Sequence, residues 1–265
     1  MRRAALLAAV AVLTGCGGSS TSPREHTTAY VNRVDTAMTA MKAEVADIQQ
    51  GLVEFSQGGV KPATSARLAG AQATFDRLAR RLKRTNPPPQ ARKLQRLLLE
   101  LVAQDAALAS ELHALTVFDP EFGAALRPLP AANAAAQAKL KAASSPAAVR
   151  GAILAYRRTI ERALTALRPL QPPALEAPAY HAEIARLSGI DAALAKLLAA
   201  VRANDANAAL RAEHELDEAN VGVDSRANQV AQRNAVRAYN RAVTRVEALQ
   251  VRIRAERDRL QTAIP

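Results

Sequence analysis

The chain contains one thiol, and its neighbours suit it to a particular reaction. Cys16 follows Leu13-Thr14-Gly15, with an apolar run just upstream. A thiolate is the nucleophile that accepts a lipid group, and small neighbours leave the backbone open to a peptidase at a membrane surface. Two carboxylates also stand out. Asp105 and Asp191 each interrupt an apolar seam where a three-four rhythm calls for a hydrophobic residue. An inward acid either meets Arg, Lys, a helix end or water, as a polar register device, or lines a small-ligand or cation site; left unpaired in a core it costs several kcal/mol.

The remaining polar groups offer less. His214 and Glu218 have the four-residue spacing that could share an ion, but Glu213, Glu215 and Asp217 beside them read as a solvated helix face. The residues three before His26, His113, His181 and His214 are Pro23, Ser110, Pro178 and Arg211, so the Glu-x-x-His signature of di-iron bundles is absent. Paired cysteines, a two-histidine zinc helix, Gly-x-Ser-x-Gly and a glycine-rich phosphate loop are absent too. The expectation is a non-enzymatic protein with no metal and no cofactor.

Positive charge is the strongest bias. The formal net charge is +12, and it falls to +10 once Arg2 and Arg3 leave with a leader (34 basic against 24 acidic residues). Near the C-terminus, Arg226, Arg233, Arg237, Arg241, Arg245, Arg252 and Arg259 fall within a third of a helical wheel, opposite Val236, Tyr239, Val243, Val246, Ile253 and Leu260. A second basic cluster flanks Pro87-Pro88-Pro89: Arg77, Arg80, Arg81, Lys83 and Arg84 before it, Arg92, Lys93 and Arg96 after it. Such faces are either solvated or meet anionic lipid headgroups or wall polymers. No nucleic acid is expected, because no aromatics interleave with the basic residues to stack on bases.

Leu13-Thr14-Gly15-Cys16 resembles the bacterial lipobox at every position. Arg2 and Arg3 precede Ala4 to Leu13, an apolar segment of about half the length needed to span a bilayer core, as a secretory leader requires. The resemblance implies diacylglyceryl transfer to Cys16, cleavage after Gly15 and acylation of the new amino terminus. A single acyl chain binds membranes marginally, whereas two or three hold firmly. The expected address is the extracytoplasmic side of a bacterial membrane. Gly17 rather than Asp follows the cysteine, so nothing supports retention at an inner membrane.

With Cys16 committed to lipid, no internal disulfide is available and packing alone must hold the fold. Ala, Leu, Arg and Glu dominate, Trp is absent, and strand formers never alternate over a useful length, so the fold class is all-α. Residues 1–15 read as the signal peptide and 16–26 as a lipidated, disordered tether. Helices are predicted at about Thr27–Ser56, closed by Gly58-Gly59, then Pro62–Thr85, Gln90–Val117 and Pro120–Ala143, the last broken at Pro128 and Pro130. Pro146–Leu170, Ala177–Ala203, Asp205–Asn220 and Asp224–Thr262 follow.

The second and third helices match the fifth and sixth. Offset by 85, Phe75, Leu82, Pro87 and Pro88 fall on Ile160, Leu167, Pro172 and Pro173. At an offset of 86, Asp105-Ala-Ala-Leu-Ala falls on Asp191-Ala-Ala-Leu-Ala. An internal duplication, or chance similarity between Ala/Leu-rich helices, accounts for this. The expected architecture is antiparallel bundle halves at 27–143 and 144–265, each built on a helix–proline turn–helix unit. Helix, double proline, helix, then an Asp-started helix after Asn204 also resembles a recurring pattern in small bacterial lipoproteins, which implies a fold and an address but no activity.

Overall fold

The computed structural model describes residues 22–57, 61–221 and 226–263; Cys16, the leader and the predicted Gly58-Gly59 break lie outside the described residues. The helices are α1 (Pro23–Ser56), α2 (Pro62–Arg84), α3 (Arg92–Leu126), α4 (Leu129–Lys141), α5 (Pro146–Leu167), α6 (Ala177–Ala203), α7 (Ala206–Val221) and α8 (Arg226–Thr262). A short 3-10 turn, Pro89–Ala91, leads into α3, and no strand occurs among the described residues. The protein is all-α.

Local chemistry accounts for most boundaries. Ser145 caps α5, its Oγ accepting from the Ala148 amide at 3.2 Å, with Pro146 just inside. Asn204 ends α6 in the left-handed region (φ 53°), a conformation that asparagine tolerates better than most residues. Asp205 then caps α7 through the Ala208 amide at 3.0 Å. At the other end of the chain, helix replaces the expected tether from Pro23 onward. Ser22 and Glu25 form a reciprocal capping box: the Glu25 amide donates to Ser22 Oγ (3.2 Å) and the Ser22 amide to Glu25 Oε2 (2.7 Å).

The larger departure is at Pro120, predicted to start a helix but lying inside α3, which runs on to Leu126. A proline removes one backbone bond and crowds the preceding turn. Here an aromatic cluster spans that turn. Phe118 stacks on Phe122 with ring centroids 5.2 Å apart, and Tyr180 from α6 meets Phe118 edge-on at 5.9 Å. Burying this face across two helices offsets the lost bond. The break expected near Pro128 does form, between α3 and α4.

Two apolar clusters hold the molecule. The first gathers Tyr30, Val34 and Met41 of α1, Leu68 and Phe75 of α2, Leu94 to Leu115 along α3, and Leu249, Ile253 and Leu260 of α8. The second gathers Phe118 of α3, Leu129 of α4, Ile153, Ile160 and Leu167 of α5, Leu187, Ile190 and Leu194 of α6, and Ala212 of α7. These clusters do not follow the expected division after residue 143. α8 closes the first cluster although it comes last in sequence, and α4 belongs to the second. α3 joins both, since its 35 residues reach about 50 Å, longer than one bundle needs. Each fully buried Leu or Phe contributes about 1.5–3 kcal/mol.

Both proline turns are fastened by side chains. Gln95 donates through Nε2 to the Leu82 carbonyl (2.7 Å) and the Thr85 carbonyl (2.8 Å), closing the α2–α3 turn. After the second turn, the Leu175 amide donates to Glu111 of α3 (2.9 Å), and Gln232 of α8 donates to the Leu175 carbonyl (3.3 Å).

Candidate functional site

Asp105 sits on α3 with 2 % of its surface exposed, in the first apolar cluster's seam between Leu101 and Leu108. Its Oδ2 has no hydrogen-bond partner, and burial alone pushes its carboxyl up to about 7. A groove of about 310 Å³ between α1, α3 and α8 opens onto it. Val34, Met38, Met41 and Val45 of α1, Leu101 of α3 and Ile253 of α8 form the apolar walls. Exposed Lys42 and Gln49 of α1 and Arg254 of α8 stand at the mouth. A volume of this size is at the lower end of small-molecule sites.

Asp191 has a different environment. It lies on α6 beside the second cluster, and Arg157 of α5 donates to its Oδ1 at 2.8 Å. Arg157 also meets Glu161 at 3.1 Å, and the Asp191 side chain retains 26 % exposure. The two aspartates therefore do not converge on one site. One is buried and unpaired, the other paired and wet. His214 and Glu218 meet at 3.3 Å with side chains 75 % and 66 % exposed, the solvated face expected for them. Among the described residues, no three His, Cys, Asp or Glu side chains group as metal ligands.

The arginines of α8 divide into two sets. Arg237, Arg241 and Arg245 line a wide, open trough of about 870 Å³ together with Gln104 of α3. Arg245 is paired with Glu100, whereas Arg233, Arg237 and Arg241 are exposed and make no ion pair among the described residues. Nearer the C-terminus, the arginines tie helices together. Arg259 donates to the Gln90 carbonyl at 3.1 Å and to Glu256 at 2.6 Å, and Arg257 meets Asp35 of α1 at 3.2 Å. Of the opposite face, Val246, Ile253 and Leu260 are buried as expected, but Val236 is 41 % exposed.

Glu256, not singled out in the sequence, is the central acid of this corner. It is 3 % exposed, and Lys93 of α3 reaches its other oxygen at 2.8 Å. The bonds from Arg259, then Lys93, hold its carboxyl below the usual range against the opposing effect of burial. Its sequence signal was Glu256 to Arg259 at the i, i+3 spacing.

These contacts bring one group of basic residues together at the first proline turn. The first turns of α1 lie against the proline turn, where His26, Tyr30 and Arg33 face Asn86 to Gln90 across a cleft of about 420 Å³. The last turns of α8 reach the same turn through Arg259 and Gln90. Arg80, Arg81, Lys83, Arg84, Arg92 and Arg96 surround it, all exposed and without an acidic partner among the described residues. Arg33 of α1 lines the same cleft and is exposed as well. No helix among the described residues is long and apolar enough to cross a membrane. Compared with protein-family models, curated proteins and solved structures, the chain matches none.

Proposed function

We propose that this chain is a lipid-anchored, non-enzymatic protein of the bacterial cell envelope, an interaction module whose basic end lies against the anionic surface that its anchor enters. The observation that supports this is the shared location of the helix that follows Cys16 and the unpaired cations around the first proline turn. Only six residue steps separate Cys16 from Ser22, a reach of at most about 20 Å when fully extended. Lipid on Cys16 therefore brings the start of α1 close to the headgroups, and Arg80, Arg84, Arg92 and their neighbours with it. A basic residue at an anionic surface contributes about 1 kcal/mol, within a Debye length of about 8 Å at physiological salt. The trough of Arg237, Arg241 and Arg245 lies farther along α8 and remains open to a wall polymer or an acidic partner.

Flotation of the Cys16→Ser chain with vesicles of anionic and of neutral lipid tests the reading. Binding to anionic vesicles is expected, weakened by salt, and reversal of Arg80, Arg84 and Arg92 to Glu should lower it at least tenfold. Equal recovery with neutral vesicles, or indifference to those reversals, would contradict it.

A further inference from the structure

The Asp105 groove does not depend on the anchor. Among the described residues, every other acid less than a tenth exposed has partners in the fold: Glu54 takes bonds from Gln50 and the Lys61 amide, Glu183 from Arg186, and Glu256 from Arg259. Asp105 alone among these carboxylates keeps an oxygen with none, and it does so where the packing leaves space. An unpaired acid in an apolar wall is destabilising, and nothing within the fold offsets it. The charged groups around the groove are Lys42 on α1 and Arg254 and Arg257 on α8. Arg257 pairs with Asp35 at 3.2 Å and with Asp258 at 3.7 Å, its buried Nε making no hydrogen bond; Lys42 and Arg254 stand exposed at the mouth, and none of these charges offsets the burial of Asp105.

We infer that this groove is a ligand site for a small zwitterionic amphiphile: an aliphatic body, an amine at the buried end for Asp105, and an anionic group at the mouth for Lys42 and Arg254. The apolar walls take the body, with Met38 and Met41 as adaptable surface. An ammonium supplies the donor that Oδ2 lacks, as a charge-assisted bond in a water-poor setting. A plain fatty acid fits less well. With its carboxylate at the mouth it brings no donor to Asp105, and turned around it sets two carboxyls together.

Calorimetric titration of the full mature chain with 8-aminooctanoic acid and with octanoic acid tests this. The amino acid should bind at least tenfold more tightly than octanoic acid. Its affinity should rise close to tenfold between pH 6 and pH 8, as the fraction of ionised Asp105 increases. Asp105→Asn should remove both the preference and the pH dependence. Ala46→Trp, at the exposed lip of the groove, should abolish binding while leaving Asp105 in place, and it decides the matter if Asp105→Asn does not fold. Equal affinity for the two probes, no binding of either, unchanged binding by Asp105→Asn, or unchanged binding by Ala46→Trp would overturn the assignment.

Discussion

Asp105 and Asp191 stand in the same five-residue sequence, Asp-Ala-Ala-Leu-Ala, in α3 and α6, yet their chemistry differs. Around them, the apolar positions that match in sequence behave alike: Phe75, Ile160 and Leu167 are fully buried, and Leu82 nearly so. The difference comes from the partner helix and from what covers the hairpin. At the same offset, Arg157 in α5 corresponds to Gln72 in α2, so the second hairpin supplies a guanidinium where the first supplies an exposed amide. α1 and α8 then pack over Asp105 and leave it 2 % exposed at the floor of a groove, whereas Asp191 stays partly wet. One polar interruption in one kind of seam can thus become a destabilising buried acid or a modest surface ion pair. The neighbours decide which.

The largest test of this contrast is pH. Asp105 carries a folded-state value of about 7 against an ordinary 3.8, so it binds its proton more tightly folded than unfolded. The Asp105 contribution should therefore be most favourable below about pH 4, weaken as pH rises towards 7, and level off above it, a loss of up to about 4 kcal/mol. Asp105→Asn should flatten that dependence and be the more stable protein at pH 8, by denaturant unfolding. Glu256 has the opposite sign. Its carboxyl lies below the usual range, so its contribution is present above the ordinary Glu value near 4.5 and disappears as pH falls through the folded value. Glu256→Gln should cost about 1–3 kcal/mol at pH 7 and little at pH 3, because Arg259 and Lys93 lose a charged acceptor.

The Arg157–Asp191 pair is a smaller effect. Its side chains are about a quarter to a third exposed, so a double-mutant cycle with Arg157→Gln and Asp191→Asn should return about 1 kcal/mol or less. A coupling of several kcal/mol would place Asp191 in a drier site than the structure gives it. Two glycines bear on the same comparison at the smallest scale. A Cβ on Gly51 of α1 would stand 3.2 Å from the end of Leu68 and 3.5 Å from that of Leu112, both fully buried, so crowding should cancel the helix-propensity gain of about 1 kcal/mol in Gly51→Ala. A Cβ on Gly189 of α6 would stand 3.1 Å from the Cβ of Ala219, which cannot rotate away, so Gly189→Ala should destabilise the α6–α7 contact.

Much of the fold was readable locally. The span of α6, Ala177–Ala203, follows from its prolines and Asn204, and the start of α5 from Ser145 and Pro146. Other features depended on contacts distant in sequence. Pro120 reads as a helix start unless Tyr180 is known to cover Phe118 and Phe122. No local pattern says that α8 returns to α1 and α3, and that return makes the Asp105 groove and buries Glu256. The Ser22–Glu25 box was legible and sets the start of α1 earlier than the composition of the tether indicates. So was the Arg157-for-Gln72 difference, once the offset between the hairpins is applied to polar as well as apolar positions.

The anchor is the premise on which the basic end acquires a membrane to face, and the mass of the chain's first proteolytic peptide from a membrane fraction tests it most directly. The account predicts a peptide beginning at Cys16, carrying diacylglyceryl and a further acyl group, and lost together with membrane association in Cys16→Ser. An unmodified Cys16 within a peptide that still contains Leu13-Thr14-Gly15, recovered from the soluble fraction, would contradict it.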